Sequence, residues 1–249
     1  MIPGRSPFRR SPARPILAAA NPPNVLRSAI NTSYNTSSLQ SYVTMPAAAT
    51  AGNLILGYCS PDKSVTSITT PAGFTPVPGA SHLAGGGVSG ALFYKIATGG
   101  ESVFLFEYVS GTTRFVTSVA LEIENVNQSD PIDQIAMTNG NAATARSITV
   151  GPTDNTSQAN ELALAFWSND SAQSFGGSPN ATNIGWSDGF TEVTNFGANP
   201  LVTVGAGAPG LHVASKPLPT IGAVQSTFSY SGGTADESLA FLVTLRAAA

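Results

Sequence analysis

The sequence predicts an all-β protein: a jelly-roll-like antiparallel β-sandwich built from two internally repeated halves and preceded by an extended N-terminal arm. Three observations predict it. From about residue 39 onward, short segments rich in Val, Ile, Thr, Phe and Tyr are separated by clusters of Gly, Pro, Asn, Ser and Asp, as strands are by turns. Within them Phe104, Phe106 and Tyr108, and again Phe228 and Tyr230, fall two residues apart and so share one face of an extended chain. No window sustains a helical repeat of apolar residues beyond two turns.

The first element is the arm, residues 1–38. Pro3, Pro7, Pro12, Pro15, Pro22 and Pro23 remove amide donors and hold the residues before them extended, which excludes helix. Arg5, Arg9, Arg10, Arg14 and Arg27 give the first 61 residues a charge of +5 with no acid among them, while the remainder sets six basic residues against all 14 acids, or −8. A basic, Pro-rich arm with little apolar surface cannot pack on itself, so docking on a partner is expected to order it, with the five arginines as docking residues. The competing reading is a secretion signal, with Arg9 and Arg10 ahead of Ile16-Leu17-Ala18-Ala19-Ala20. That apolar stretch is about five residues, short of the 7–15 such a signal needs, and prolines flank it.

The second element is the body, residues 39–249. Strands are expected at 53–60, 91–97, 103–109, 115–124, 161–168, 224–230 and 238–245, with shorter ones at 132–137 and 147–150. A repeat organises them. Leu54, Leu56, Ser60 and Asp62 recur as Leu162, Leu164, Ser168 and Asp170; Gly73-Phe74-Thr75 returns as Gly189-Phe190-Thr191. Phe106-Glu107-Tyr108 then returns as Phe228-Ser229-Tyr230, and Ser118-Val119-Ala120 as Ser238-Leu239-Ala240. Four matches in one order point to a duplicated unit. A half-repeat leaves an apolar sheet face uncovered, so the economical arrangement is one domain in which two halves close a common sandwich core. Phe106, Tyr108, Phe228 and Tyr230 should turn inward.

Composition is consistent with this. Of 249 residues, 42% are hydrophobic and 10% charged, enough to build a core and to exclude disorder along the whole chain. No apolar run approaches the roughly 18 residues of a membrane-spanning helix. The single Cys59 excludes an intrachain disulfide framework and a thiolate zinc cluster, and the two histidines, His82 and His212, leave few ways to build a histidine-based active site.

Four motifs in order resemble a class of phage-encoded β-sandwich virion proteins. They are Gly52-Asn53-Leu54-Ile55-Leu56, Gly73-Phe74-Thr75, Phe93-Tyr94-Lys95-Ile96-Ala97 with Glu101, and Asn125-Val126 with Pro131-Ile132-Asp133. The resemblance spans residues 44–246. It implies a head decoration or tail fibre component; it implies no ligand.

The chemistry-bearing residues have plainer explanations. Gly205-Ala206-Gly207-Ala208-Pro209-Gly210 fits a dinucleotide fingerprint, but Pro217 and Pro219 follow where a helix is required. Asp62 and Asp170, or Asp130 and Asp133, could contribute to a calcium site, yet Asp is also a favoured turn residue and no EF-hand loop is present. Glu122 and Glu124 alternate onto one strand face and could imitate a glycosidase pair, or equally mark a solvent-facing edge. Trp186, between Gly185 and Ser187 in a turn-rich segment, is the one aromatic that suggests a ligand-facing position.

The expected function is therefore a non-enzymatic phage virion structural protein at the particle surface, anchored by its arm. No catalytic residue, metal site or cofactor is expected. The implied partners are other virion proteins and further copies of this chain, as a homo-oligomer. The alternatives are an extracellular carbohydrate-binding or adhesive module directed at a host-surface glycan, and a small-virus capsid subunit whose arm contacts nucleic acid. Five arginines with Phe8 as the one aromatic between them make a poor nucleic-acid footprint.

Overall fold

The computed structural model describes residues 21–35, 39–62, 65–83, 87–110, 114–140, 147–169, 182–193, 210–231 and 237–248. These form sixteen strands and no helix. In the first half they are β1 Asn24–Asn35, β2 Gln40–Thr44, β3 Leu54–Pro61, β4 Ser67–Thr69, β5 Thr75–His82, β6 Gly90–Ile96, β7 Val103–Val109 and β8 Arg114–Glu124. In the second half they are β9 Ile132–Gly140, β10 Ser147–Val150, β11 Glu161–Asn169, β12 Thr182–Trp186, β13 Thr191–Glu192, β14 Leu211–Leu218, β15 Ser226–Ser231 and β16 Ser238–Leu245.

Every pairing is antiparallel. The first half holds a five-stranded sheet, β1-β8-β3-β6-β5, and a three-stranded sheet, β2-β7-β4. The second half holds β9-β16-β11-β14-β13 and β10-β15-β12. Adding eight to each strand number of the first pair of sheets gives the second pair.

The sheets stack in four layers. Leu54, Leu56 and Tyr58 of β3 with Val119, Leu121 and Ile123 of β8 meet Leu162, Leu164 and Phe166 of β11 with Phe241 and Val243 of β16 in a central core. The intervening residues Ile55 and Cys59 face the other way, onto Phe104, Phe106 and Tyr108 of the first outer sheet. Ala163, Ala165 and Trp167 likewise face Phe228 and Tyr230 of the second. An inner strand covered on both faces has no reason to alternate, and β3, β11 and β16 are buried at every position. The outer strand β7 is covered on one face and alternates throughout. Each half is thus a two-layer sandwich in its own right, a layer more per half than the single core expected from the repeat.

Two local devices fix the geometry. A side chain at Gly57 would place its Cβ 2.6 Å from the Phe106 ring, so glycine there lets the outer sheet close on β3. Gly73 and Gly189 both adopt positive φ (77° and 79°) and each opens a turn whose phenylalanine lies under a lysine. Lys95 sits 5.8 Å from the Phe74 ring centre and Lys216 5.8 Å from that of Phe190.

The body begins earlier than composition suggested. Residues 24–35 belong to the edge strand β1, paired with β8 from Asn24 opposite Glu124 to Asn35 opposite Arg114. The proline-rich stretch ends at Pro23, and the twelve residues that follow contain no proline and keep their amide donors. Residues 1–20 lie outside the described residues.

The halves are also joined by a hydrogen bond through the central core. Tyr58 Oη lies 2.7 Å from Ser168 Oγ, both wholly buried. Tyr58→Phe keeps the ring packing and strands the Ser168 hydroxyl, so we expect a loss of about 1–2 kcal/mol in urea unfolding at neutral pH. Unchanged stability would show that this bond adds nothing to the seam.

Candidate functional site

Strand register makes the two halves comparable position by position. Cys59 pairs with Ala91 and Ser118; Trp167, at the same place in the second half, pairs with His212 and Ala240. Pro76 pairs with Phe93, and Glu192 with Ala214. Thr70 follows Thr69 opposite Glu107, as Trp186 follows Gly185 opposite Ser229. Four small or apolar residues of the first half are therefore replaced by Trp167, His212, Glu192 and Trp186, and these four are linked in a chain of contacts.

His212 is wholly buried and its Nδ1 lies 2.7 Å from Glu192 Oε1. The other carboxylate oxygen accepts a hydrogen bond from the Trp186 indole N–H. The imidazole packs 4.9 Å from the Phe228 ring and 5.6 Å from Trp167, which itself stacks on Phe228 at 4.2 Å. Trp186 meets Phe228 edge-on at 5.0 Å. A carboxylate that holds imidazole and indole at once orients both rings. Glu192 remains 18% exposed, so the cluster runs from solvent into the second outer core.

Trp186 is therefore half-buried against Phe228 and Phe190, with its polar edge taken by Glu192. His82 stands apart at the end of β5.

A second polar constellation lies where β3 begins. Glu122, wholly buried on β8, accepts hydrogen bonds from Arg27 Nη1 at 2.9 Å, Asn53 Nδ2 at 2.7 Å and the Thr50 amide at 2.8 Å. Arg27 also donates to the Ala48 carbonyl at 2.7 Å. Both residues correct the sequence reading. Glu122 is not on a solvent-facing edge, because the inner sheet is covered on both sides. Arg27 is not free for a partner, because it neutralises that buried carboxylate. The other docking arginines, Arg5, Arg9, Arg10 and Arg14, lie outside the described residues.

The second half places a different knot at the corresponding end. Arg246 Nη2 lies 2.6 Å from Asp133 Oδ1 and Nη1 2.6 Å from Asp130 Oδ2, so this acidic pair is bound to an arginine. The Ser157 amide donates to Asp133 at 2.6 Å. Beside them Glu161 is fully buried, its carboxyl group set against Asp133 and Thr244. Burial pushes its carboxyl up to about 7, the neighbouring Asp133 adding to the shift while Thr244 opposes it. Asp133 is held below its ordinary value against the effect of its own burial, by Ser157, Glu161 and Arg246.

Among the described residues no group of three or more His, Cys, Asp or Glu is placed to hold a metal ion. Asp62 is buried just after β3, and Asp170 lies outside the described residues. Residues 205–209 of the glycine-rich motif also lie outside; Gly210 leads straight into β14, a strand where a dinucleotide site requires a helix. No helix of the described residues is long and apolar enough to cross a membrane.

Reading single residues singled out His212 and Trp186 separately and missed Glu192, which joins them. The available signal was the repeat itself: aligning the Gly-Phe-Thr turns sets Glu192 against Pro76, a charge against an imino acid. No protein-family model matches the chain, and no curated protein matches it in sequence.

Proposed function

We propose that the chain is a non-enzymatic structural component of a phage particle, of the head-decoration or tail-fibre kind, displayed at the surface and anchored by its arginine-rich N-terminal segment. The observation that carries this reading is the strand order. In each half the inner sheet runs 1-8-3-6 and the outer 2-7-4, the order of a jelly roll with its fifth strand added to the inner sheet. Two such units in tandem are what duplication of one jelly roll produces. Jelly rolls are used widely in capsid and lectin domains, because two packed sheets leave little unprotected edge. Of those two uses, the lectin reading is weakened by Trp186, whose indole N–H is held by Glu192.

The charges agree with an anchored body. Arg27, Lys95 and Arg246 are each paired with a carboxylate within the fold, which leaves the four arginines of residues 1–20 as the concentrated basic feature of the sequence. Removing residues 1–20 spares β1 and should leave a folded body with an unchanged melting temperature that no longer incorporates into purified particles. Undiminished occupancy of the truncated chain would overturn the anchoring role.

A further inference from the structure

The polar knots at the starts of β3 and β11 occupy the same place in their halves and differ in charge. Register sets Asn53 and Glu122 of the first half at the positions of Glu161 and Thr244 in the second. The first knot holds one carboxylate, Glu122, against one guanidinium, Arg27. The second holds Asp130, Asp133 and Glu161 against Arg246, whose ion pairs go to the two aspartates. Glu161 is wholly buried with no cation of its own, and an ionised carboxylate there costs far more than a neutral carboxyl, so the closed knot keeps a proton on it. Around it β9 brings Asp133, the chain end brings Arg246, and β16 adds the neutral Thr244. On β14 Leu218 stands opposite and Lys216 two residues away, its ammonium over the Phe190 ring; the loop before β11 carries Asp154 on its exposed side.

The same groups tie down two segments. The Ser157 amide donates to Asp133 at 2.6 Å, Arg246 Nε to Ser157 Oγ at 3.2 Å, and Gln158 Nε2 to the Ala247 carbonyl at 3.3 Å. The Ala248 amide then donates to the Asn125 carbonyl at 2.9 Å, and Asn125 Nδ2 to the Pro22 carbonyl at 3.5 Å. The knot thus reaches the root of the arginine-rich N-terminal segment.

We propose that Asp133 and Glu161 form a proton-operated latch: with one proton between the two carboxyls, residues 157–160 and 246–248 stay docked beside β9, and when that proton leaves for water these segments lift while both halves remain folded. An ionised Glu161 must gain water or a cation, and Arg246 is already shared between two aspartates. Ser157 is itself exposed, and its bonds to Asp133 and Arg246 are the ones a second buried negative charge disturbs. Lifting that short segment therefore admits water at lower cost than parting β11 from β14 and β16. Burial and Asp133 hold the Glu161 carboxyl up at about 7, so the latch is closed below neutrality and open above it. The inference does not depend on the particle reading; failure of arm-directed incorporation leaves it standing.

Amide hydrogen exchange on the full chain decides it, with rates corrected for intrinsic base catalysis. Between pH 6 and pH 8 the ionised fraction of a group at about 7 rises about ten-fold, so the amides of Ser157, Arg246 and Ala248 should lose about ten-fold in protection. Local opening exposes little surface, so this exchange should ignore low urea, whereas the amides of Leu164 and Val243 should respond to urea as global unfolding does. The Thr50 amide, bound to a carboxylate that has its own guanidinium, should show no such urea-independent loss. Glu161→Gln should abolish the pH response at the three amides. No loss between pH 6 and pH 8, or a loss that follows urea as the core amides do, would overturn the latch, and so would a pH response that persists in a folded Glu161→Gln. If that variant does not fold, exchange in the native chain decides alone.

Discussion

Arg27→Ala is expected to destabilise the fold by about 3 kcal/mol, because removing one partner of a buried pair leaves the other charge uncompensated. Glu122 is wholly buried, and Asn53 and the Thr50 amide cannot cancel its charge, although they satisfy part of its hydrogen-bonding capacity. Urea unfolding of the variant at neutral pH measures the loss. Pairing Arg27→Met with Glu122→Leu should recover most of it, since an apolar pair of similar volume removes the stranded charge. A change within about 0.5 kcal/mol for Arg27→Ala, the range of an ordinary surface substitution, would mean that Arg27 is free to serve a partner after all.

The second large effect is a pH dependence centred on Glu161. Its folded-state value of about 7 lies above the ordinary 4.5, so the folded protein holds a proton there that the unfolded chain has released. Stability from this group is fully present below about 4.5 and declines as pH rises towards 7, by about 3 kcal/mol in all at 1.4 kcal/mol per unit. Asp133 acts in the opposite sense and in a separate window, its contribution fading as pH falls below its ordinary 3.8. Glu161→Gln should therefore flatten the profile between pH 5 and 7 and leave the variant more stable than the native chain at pH 8. Both tryptophans lie in the second half, so their emission during urea unfolding reports the half that contains Glu161. A native profile as flat as the variant's would remove Glu161 from the account.

What was legible in the sequence follows from how many sides of a strand are covered. The outer strand Val103–Val109 alternates because one face meets solvent, and its limits were read correctly, with Phe106 and Tyr108 inward as expected. Phe228 and Tyr230 are inward for the same reason. On β8 both faces are covered, so alternation could not say that Glu122 was inside. The strand β1 was hidden by its neighbours, because the prolines and arginines of residues 1–23 lent their character to a twelve-residue strand that pairs with β8 through one bulge at Leu26. The last of the four sequence matches differs from the strand register. Register places Ser118 with Ala240, two residues from Ser238, an error that preserves the face and so leaves no trace in an apolar pattern. Glu192 escaped because no linear pattern ties it to Trp186, six residues before it, or to His212, 20 residues after it; the three meet only through β12, β13 and β14.

The pairing of each half's first strand with its eighth has a consequence for synthesis on the ribosome. β1 cannot begin to pair with β8 until residue 114 has emerged, nor finish until residue 124 has, so a loop of most of the half must close before its inner sheet is complete. Yet among the described residues no sheet crosses between halves, so the first unit can finish before the second is translated. In that interval Leu54, Leu56, Tyr58, Val119 and Leu121 form an apolar sheet whose cover, chiefly β11, β14 and β16, has yet to be made. The nascent chain carries a vulnerable surface for as long as the second half takes to follow, and that interval, rather than the stability of the finished stack, sets its exposure to aggregation and its need for chaperones.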